Sequence, residues 1–169
     1  MALIVEDGTG KADAESYISV EDATAYHAAR GNADWAALAS NEVREQFLRK
    51  ATAYMVQVYR DKWQGYRVFS SQALDWPRSC VVVDKVYTVD SDIVPNEVKN
   101  ACAEFALRAS VAELAPDVEQ RVKREKVDVL EVEYSEFSPQ YPTYRAIDNM
   151  LAPFFGAGSS GVFRKVERV

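Results

Sequence analysis

Apolar residues recur along this chain at two spacings, three-to-four and two, and the changes between them mark out its elements. Ser19 with Asp22 three residues on forms a capping box that opens a helix. Val20, Ala23, Tyr26 and Ala28 give that helix an apolar side, and Gly31 is its stop. Ser40 caps a longer helix to about Asp61, with Val43, Phe47, Ala51, Tyr54, Met55 and Val58 inward and Arg44, Glu45, Arg49 and Lys50 opposite. Pro95 sits in the first turn of a third helix that runs to about Leu114. There Val98, Ala101, Cys102, Phe105, Ala109 and Ala112 make one stripe, and Leu107, Val111 and Leu114 a second, which places this helix centrally in the core. A fourth helix spans about Tyr144 to Phe155.

Between these helices the period changes. Leu3–Val5 reads as a short strand. Residues 62–92 form a long connection with β-like runs at Val81–Val83 and Val86–Val89 around Asp84-Lys85, and loops of that length are usually functional. Val122–Val127 and Val129–Tyr134 alternate as a two-stranded hairpin, Glu131 and Glu133 against Leu130, Val132 and Tyr134. Residues 156–161 are a glycine-serine linker leading to Val162–Val169. The expected fold class is mainly α: a compact bundle of about four helices with one β-hairpin, a long mid-chain loop and an extended C-terminal arm. The expected organisation is one helical domain, 1–155, with its hairpin at about 121–134, followed by linker and arm at 156–169.

Composition sharpens this picture. With 169 residues, 48% hydrophobic and 27% charged, the chain can bury a core without metals or disulfides. No apolar run approaches membrane-spanning length, and the first residues do not read as a signal peptide, so a cytoplasmic start and no membrane partner are expected. Free thiols are expected for Cys80 and Cys102, the latter on a buried helix face. The net charge is −6, of which residues 1–40 hold −5, while the last eight residues carry +2. Such a chain lacks the basic stripe of a general nucleic-acid binder.

Candidate chemistry is sparse. The one histidine, His27, lies beside Tyr26 without suggestive neighbours and reads as a helix-surface or packing residue. Gly8-Thr9-Gly10-Lys11 resembles a phosphate loop, but Val5 and Ala12 stand where the motif needs Gly and Ser or Thr, so it reads as an ordinary turn. Glu131 and Glu133 read as a solvent face rather than an acid pair. No catalytic residue, metal site or cofactor is expected, and the chain is not expected to be an enzyme.

Three features resist a bland reading. Gln72-Ala73-Leu74-Asp75-Trp76-Pro77-Arg78 sets Trp76, Pro77 and Arg78 together in a loop, either as an anchor on the core or as an assembly contact. Val162, Phe163, Arg164 and Val166 alternate in the arm, as a frayed end or as a strand pairing with a neighbouring chain. The hairpin, with Arg124, Lys126, Glu131 and Glu133, either covers the core or projects toward a partner.

In this order the features resemble phage head–tail adaptor proteins, also called head-completion or connector proteins, many of which carry the label DnaT-like single-stranded-DNA-binding protein. The matching residues are Ala14–Ser19; Gln72–Arg78; Ile93–Lys99; Val122–Val127 with Val132–Tyr134; and Ile147–Leu151, covering roughly residues 1–155. Asp128 stands where the family's hairpin commonly turns on glycine. The resemblance implies a structural protein of the virion, made in the host cytoplasm and placed at the head–tail junction. There it would form an oligomeric ring, commonly a dodecamer, with the portal protein above and a tail or stopper protein below. DNA would pass through its channel without sequence-specific binding. The alternative it implies is a DnaT-like single-stranded-DNA-binding protein of phage replication; Trp35, Trp63 and Trp76 are the candidates for stacking there, though no basic run accompanies them all.

Overall fold

The computed structural model describes residues 2–117 and 142–156, together with the backbone of two strands at 124–127 and 130–133. The fold is mainly helical, as the periodicity predicts. Its helices are α1 (Val20–Ala29), the short α2 (Ala33–Ala36), α3 (Asn41–Tyr59), α4 (Asn96–Val111) and α5 (Arg145–Leu151), which runs into a 3-10 turn at Ala152–Phe154. Ser19 Oγ accepts from the Asp22 N–H and Ser40 Oγ from the Val43 N–H, so both predicted caps are made. Pro153 cannot donate an amide hydrogen, which fits the tightening of α5 into a 3-10 turn there.

The core is built on α3 against α4, with α1 and α5 packed on α4. The inward face of α3 is rotated from the expected one. Leu48, Ala51, Thr52, Met55 and Tyr59 are buried, whereas Val43, Phe47, Tyr54 and Val58 are half-buried. Two polar groups make that rotation affordable by finding partners inside: Thr52 Oγ1 lies 3.3 Å from Cys102 Sγ, and the Tyr59 hydroxyl donates to Asp148 Oδ1 at 2.6 Å. On α4 the first stripe is buried from Val98 to Phe105, but the second is not continuous. Leu114 is buried, Leu107 half-buried and Val111 exposed, because the end of α4 borders an open groove with Arg30, Arg108 and Tyr144 instead of another helix.

The expected N-terminal strand is reduced to a single parallel bridge, Val5 to Ser16. The long connection between α3 and α4 is not structureless. It folds into two small antiparallel hairpins, β1 (Tyr66–Arg67) with β2 (Arg78–Ser79), and β3 (Val82–Val83) with β4 (Tyr87–Thr88). A further pair, β5 (Arg124–Val127) with β6 (Leu130–Glu133), falls within the hairpin expected from the alternation. Its register sets Arg124 opposite Glu133 and Lys126 opposite Glu131. The arm residues Val162, Phe163, Arg164 and Val166 lie outside the described residues.

Candidate nucleic-acid interface

The Gln72–Arg78 segment is the internal bracket of the mid-chain region. Arg78 is buried, and its guanidinium donates to three main-chain carbonyls: Gln64 at 2.7 Å, Gly65 at 2.7 Å and Asp75 at 3.2 Å. Burial lowers its pKa from the usual arginine value, an effect that nearby Asp75 opposes. Gln72 is buried too; its Nε2 donates to the carbonyls of Leu74 and Pro77, and its Oε1 accepts from the Phe69 N–H. Trp76, followed by a cis peptide bond to Pro77, packs edge-on against Trp63 and Phe154, with ring centroids 5.7 and 5.5 Å apart. The side chains of Trp76 and Arg78 are thus spent on the interior. This arrangement corresponds to the anchoring role of the two that the sequence allowed.

What the bracket holds up is two hairpins that present aromatic rings to solvent. Gly65, at φ +63°, lets β1 pass the return strand closely; a Cβ there would sit 2.0 Å from the Ser79 carbonyl oxygen. The next residue, Tyr66, is 61% exposed, its hydroxyl accepting from Cys80 Sγ at 3.7 Å. Phe69 is 50% exposed and lies over Gly10, where a Cβ would meet its ring at 2.6 Å. The second hairpin turns on Asp84 and Lys85, both with positive φ, closed by the Val86 N–H to the Val83 carbonyl at 3.2 Å. Its tip carries Val86 and Tyr87, 72% and 69% exposed. Gln64 ties the hairpins together: its Oε1 accepts from the Val82 N–H, and its Nε2 donates to the carbonyls of Pro153 and Phe155.

The electrostatics of this region run against the chain as a whole. Residues 60–89 hold five basic and three acidic residues, +2, so the rest of the chain carries −8. Arg60 is held by buried Asp75 at 3.0 Å. Lys62, Arg67 and Lys85 form no ion pair among the described residues; Arg67 donates to the Gln72 carbonyl, and Lys62 lies over the Tyr59 ring at 4.9 Å. The two hairpins therefore carry three exposed rings, with Arg67 next to Tyr66 and Lys85 two residues before Tyr87 in the sequence.

The tryptophans expected to stack are not among those rings. Trp35, Trp63 and Trp76 are all buried in the core, which withdraws them as stacking platforms. Tyr66, Phe69 and Tyr87 were missed because exposure cannot be read from residue type. The one available signal was their position in a connection too long to be a simple link.

His27 takes the packing role of the two expected: it is buried, with Nε2 3.1 Å from the Ala103 carbonyl, Nδ1 3.0 Å from Asn32 Nδ2 and the Trp35 ring at 4.8 Å. The Gly8–Lys11 turn already encloses an anion, the chain's own Glu6. That buried carboxylate accepts from the main-chain N–H groups of Gly8, Gly10 and Lys11 at 2.8–2.9 Å. Among the described residues no group of three His, Cys, Asp or Glu is placed to hold a metal ion, and no helix is long and apolar enough to cross a membrane.

Fold and surface together define a small helical body carrying an aromatic, locally basic pair of hairpins. The chain belongs to the family described as "Putative DnaT-like ssDNA binding protein", whose model matches residues 1–169. No curated protein and no solved structure matches it. The family match corrects the expectation of a virion structural protein, a head–tail connector in a portal-bound ring: the family's description corresponds to the alternative that the resemblance offered.

Proposed function

We propose that this chain binds single-stranded DNA by stacking bases on Tyr66, Phe69 and Tyr87, with Arg67, Lys85 and Lys62 meeting the phosphates. The observation that carries the reading is the grouping of all three exposed aromatic rings among the described residues on adjacent hairpins, inside a locally basic stretch of an acidic chain. Support comes also from the family description. Stacking on an aromatic side chain is tolerant of sequence, because every base has a π-face, and contributes about 1–3 kcal/mol per base. A duplex keeps its bases stacked on one another and offers no free face to these rings, so the site favours single strands.

The test is fluorescence anisotropy with a labelled oligothymidylate of about 20 nucleotides, longer than the roughly 4–16 covered by one small ssDNA-binding fold. Tyr66→Ala and Tyr87→Ala each weaken binding by about 5- to 150-fold, the equivalent of one lost stack. Both side chains are largely exposed, so neither change disturbs the core. Unchanged affinity in both variants, or the absence of binding by the parent chain at low salt, overturns the proposal.

A further inference from the structure

The stretch Gln72–Asp75 holds a guanidinium group at each end. At one end Arg67 donates to the Gln72 carbonyl at 3.1 Å, and at the other Arg60 Nε donates to Asp75 Oδ1 at 3.0 Å. The two anchor residues are three apart, a separation of at most about 11 Å. Phe69 is tied to the same stretch, its N–H donating to Gln72 Oε1 at 3.0 Å. One exposed ring and two guanidinium groups are therefore fastened to a single short run of chain. Arg78 links that run to the other ring of the first hairpin: its guanidinium binds the Asp75 carbonyl at 3.2 Å and, at 2.7 Å, the carbonyl of Gly65, one residue before Tyr66.

Arg60 and Asp75 are unequal partners. The side chain of Asp75 is 1% exposed and that of Arg60 51%. The Asp75 backbone is fixed from both sides, its N–H donating to the Tyr17 hydroxyl at 3.1 Å and its carbonyl accepting from Arg78. A buried carboxylate is costly without a cation, and Arg60 is its one ion-pair partner among the described residues. The contact engages Nε alone. Both Nη groups of Arg60 are without an acceptor among the described residues, and Asp75 Oδ2, which a two-point pair would engage, accepts no hydrogen bond there. An arginine pinned in this way has already given up side-chain freedom, while donors suited to a phosphate stay open.

We infer that Arg60 is a phosphate-binding residue of the single-stranded-DNA site, and that Asp75 is its positioning residue, holding the guanidinium toward the strand stacked on Tyr66 and Phe69. This inference rests on the function proposed above. A phosphate takes the open Nη groups while Nε keeps its bond to Asp75, so DNA binding leaves the buried carboxylate paired. Arg60 then joins Lys62, Arg67 and Lys85 as a further phosphate contact.

The experiment is a salt series with the labelled oligothymidylate, comparing the full chain with a double variant, Arg60→Gln and Asp75→Asn. One positive and one negative charge are removed together, so the net charge stays −6 and no buried carboxylate is left without its cation. Each phosphate contact to a single strand contributes a slope of about −0.7 in log K against log salt. Four contacts weaken binding about 50-fold between 50 and 200 mM salt, and the three left in the double variant weaken it about 20-fold. At the low-salt end the double variant binds about tenfold more weakly, the equivalent of one lost charge-assisted contact. Arg60→Gln alone shows the same shallower slope. A pair with a structural role only gives the opposite pattern: the neutral double variant recovers the parent's affinity and slope, and that result overturns the inference. A double variant with the parent's slope overturns it as well, whatever its affinity. Tyr87→Ala, which keeps Arg60, lowers affinity at every salt concentration and leaves the slope unchanged. If it does so while the double variant matches the parent, the Arg60 contact falls and the proposed site stands; if the parent itself does not bind, both fall.

Discussion

Replacing Arg78 by alanine removes the group on which the mid-chain fold closes. Its guanidinium supplies three hydrogen bonds to the carbonyls of Gln64, Gly65 and Asp75, and alanine leaves all three without that donor. A hydrogen bond to a charged donor contributes about 1.5–3 kcal/mol net. The three share one side chain and do not add, so the better guide is the cost of leaving buried carbonyls without a donor, about 1–3 kcal/mol each and less than their sum together. Set against a total stability of about 5–15 kcal/mol, that is a large fraction. Urea unfolding is the assay, followed by tryptophan emission, because Trp63 and Trp76 pack 5.7 Å apart beside the bracket and report on its opening. Arg78→Lys keeps the charge but not the planar fork, so it recovers part of the loss. On the proposed function, DNA affinity falls in Arg78→Ala even under conditions where most of the protein is folded, since the hairpin that Arg78 closes carries Tyr66 and Phe69. A loss under about 1 kcal/mol, with Arg78→Lys no better than alanine, would refute the bracket and mean that water satisfies those carbonyls.

Two further outcomes follow from the same geometry. Gly65→Ala places a methyl 2.0 Å from the Ser79 carbonyl oxygen at φ +63°, and costs more than the roughly 1–2 kcal/mol of left-handed strain alone; a smaller loss in urea unfolding shows that the hairpin relaxes. His27 has a folded-state pKa below the ordinary 6.5. Burial is the main cause; the Ala103 carbonyl and Glu104 oppose it, while Arg30 and Arg108 reinforce it. Its neutral ring donates from Nε2 to Ala103 and accepts at Nδ1 from Asn32, so the unfolded chain takes up a proton first as pH falls. Stability is therefore full above about 6.5 and declines below it, ahead of the losses from paired carboxylates such as Glu15 and Glu104, which begin near 4.5. Urea midpoints between pH 7.5 and 5 should fall for the parent and stay flat for His27→Gln; parallel curves rule His27 out as the cause.

Local rules carried the sequence a long way. Ser19 and Ser40 capped the helices they were expected to cap, and the β-like runs expected on either side of Asp84-Lys85 are joined by that positive-φ pair into a hairpin that had not been expected there. The alternation at 122–134 gave the paired strands β5 and β6. These features depend on residues within a few positions of one another, where backbone geometry and one or two hydrogen bonds decide the outcome.

The tertiary structure decided what depends on satisfaction at a distance. Thr52 and Tyr59 turned the buried face of α3, because Cys102 and Asp148, 50 and 89 residues away, accommodate their hydroxyls. His27 went inward because Ala103 and Asn32 bind both ring nitrogens. Trp76 and Arg78 look like interface residues by type, yet an aromatic nest and three main-chain carbonyls claimed them for the interior. The same competition left Tyr66, Phe69 and Tyr87 outside. Periodicity sorts residues by how they would be buried if a partner exists; only packing determines whether one does, and the candidate DNA face is made of the rings for which none did.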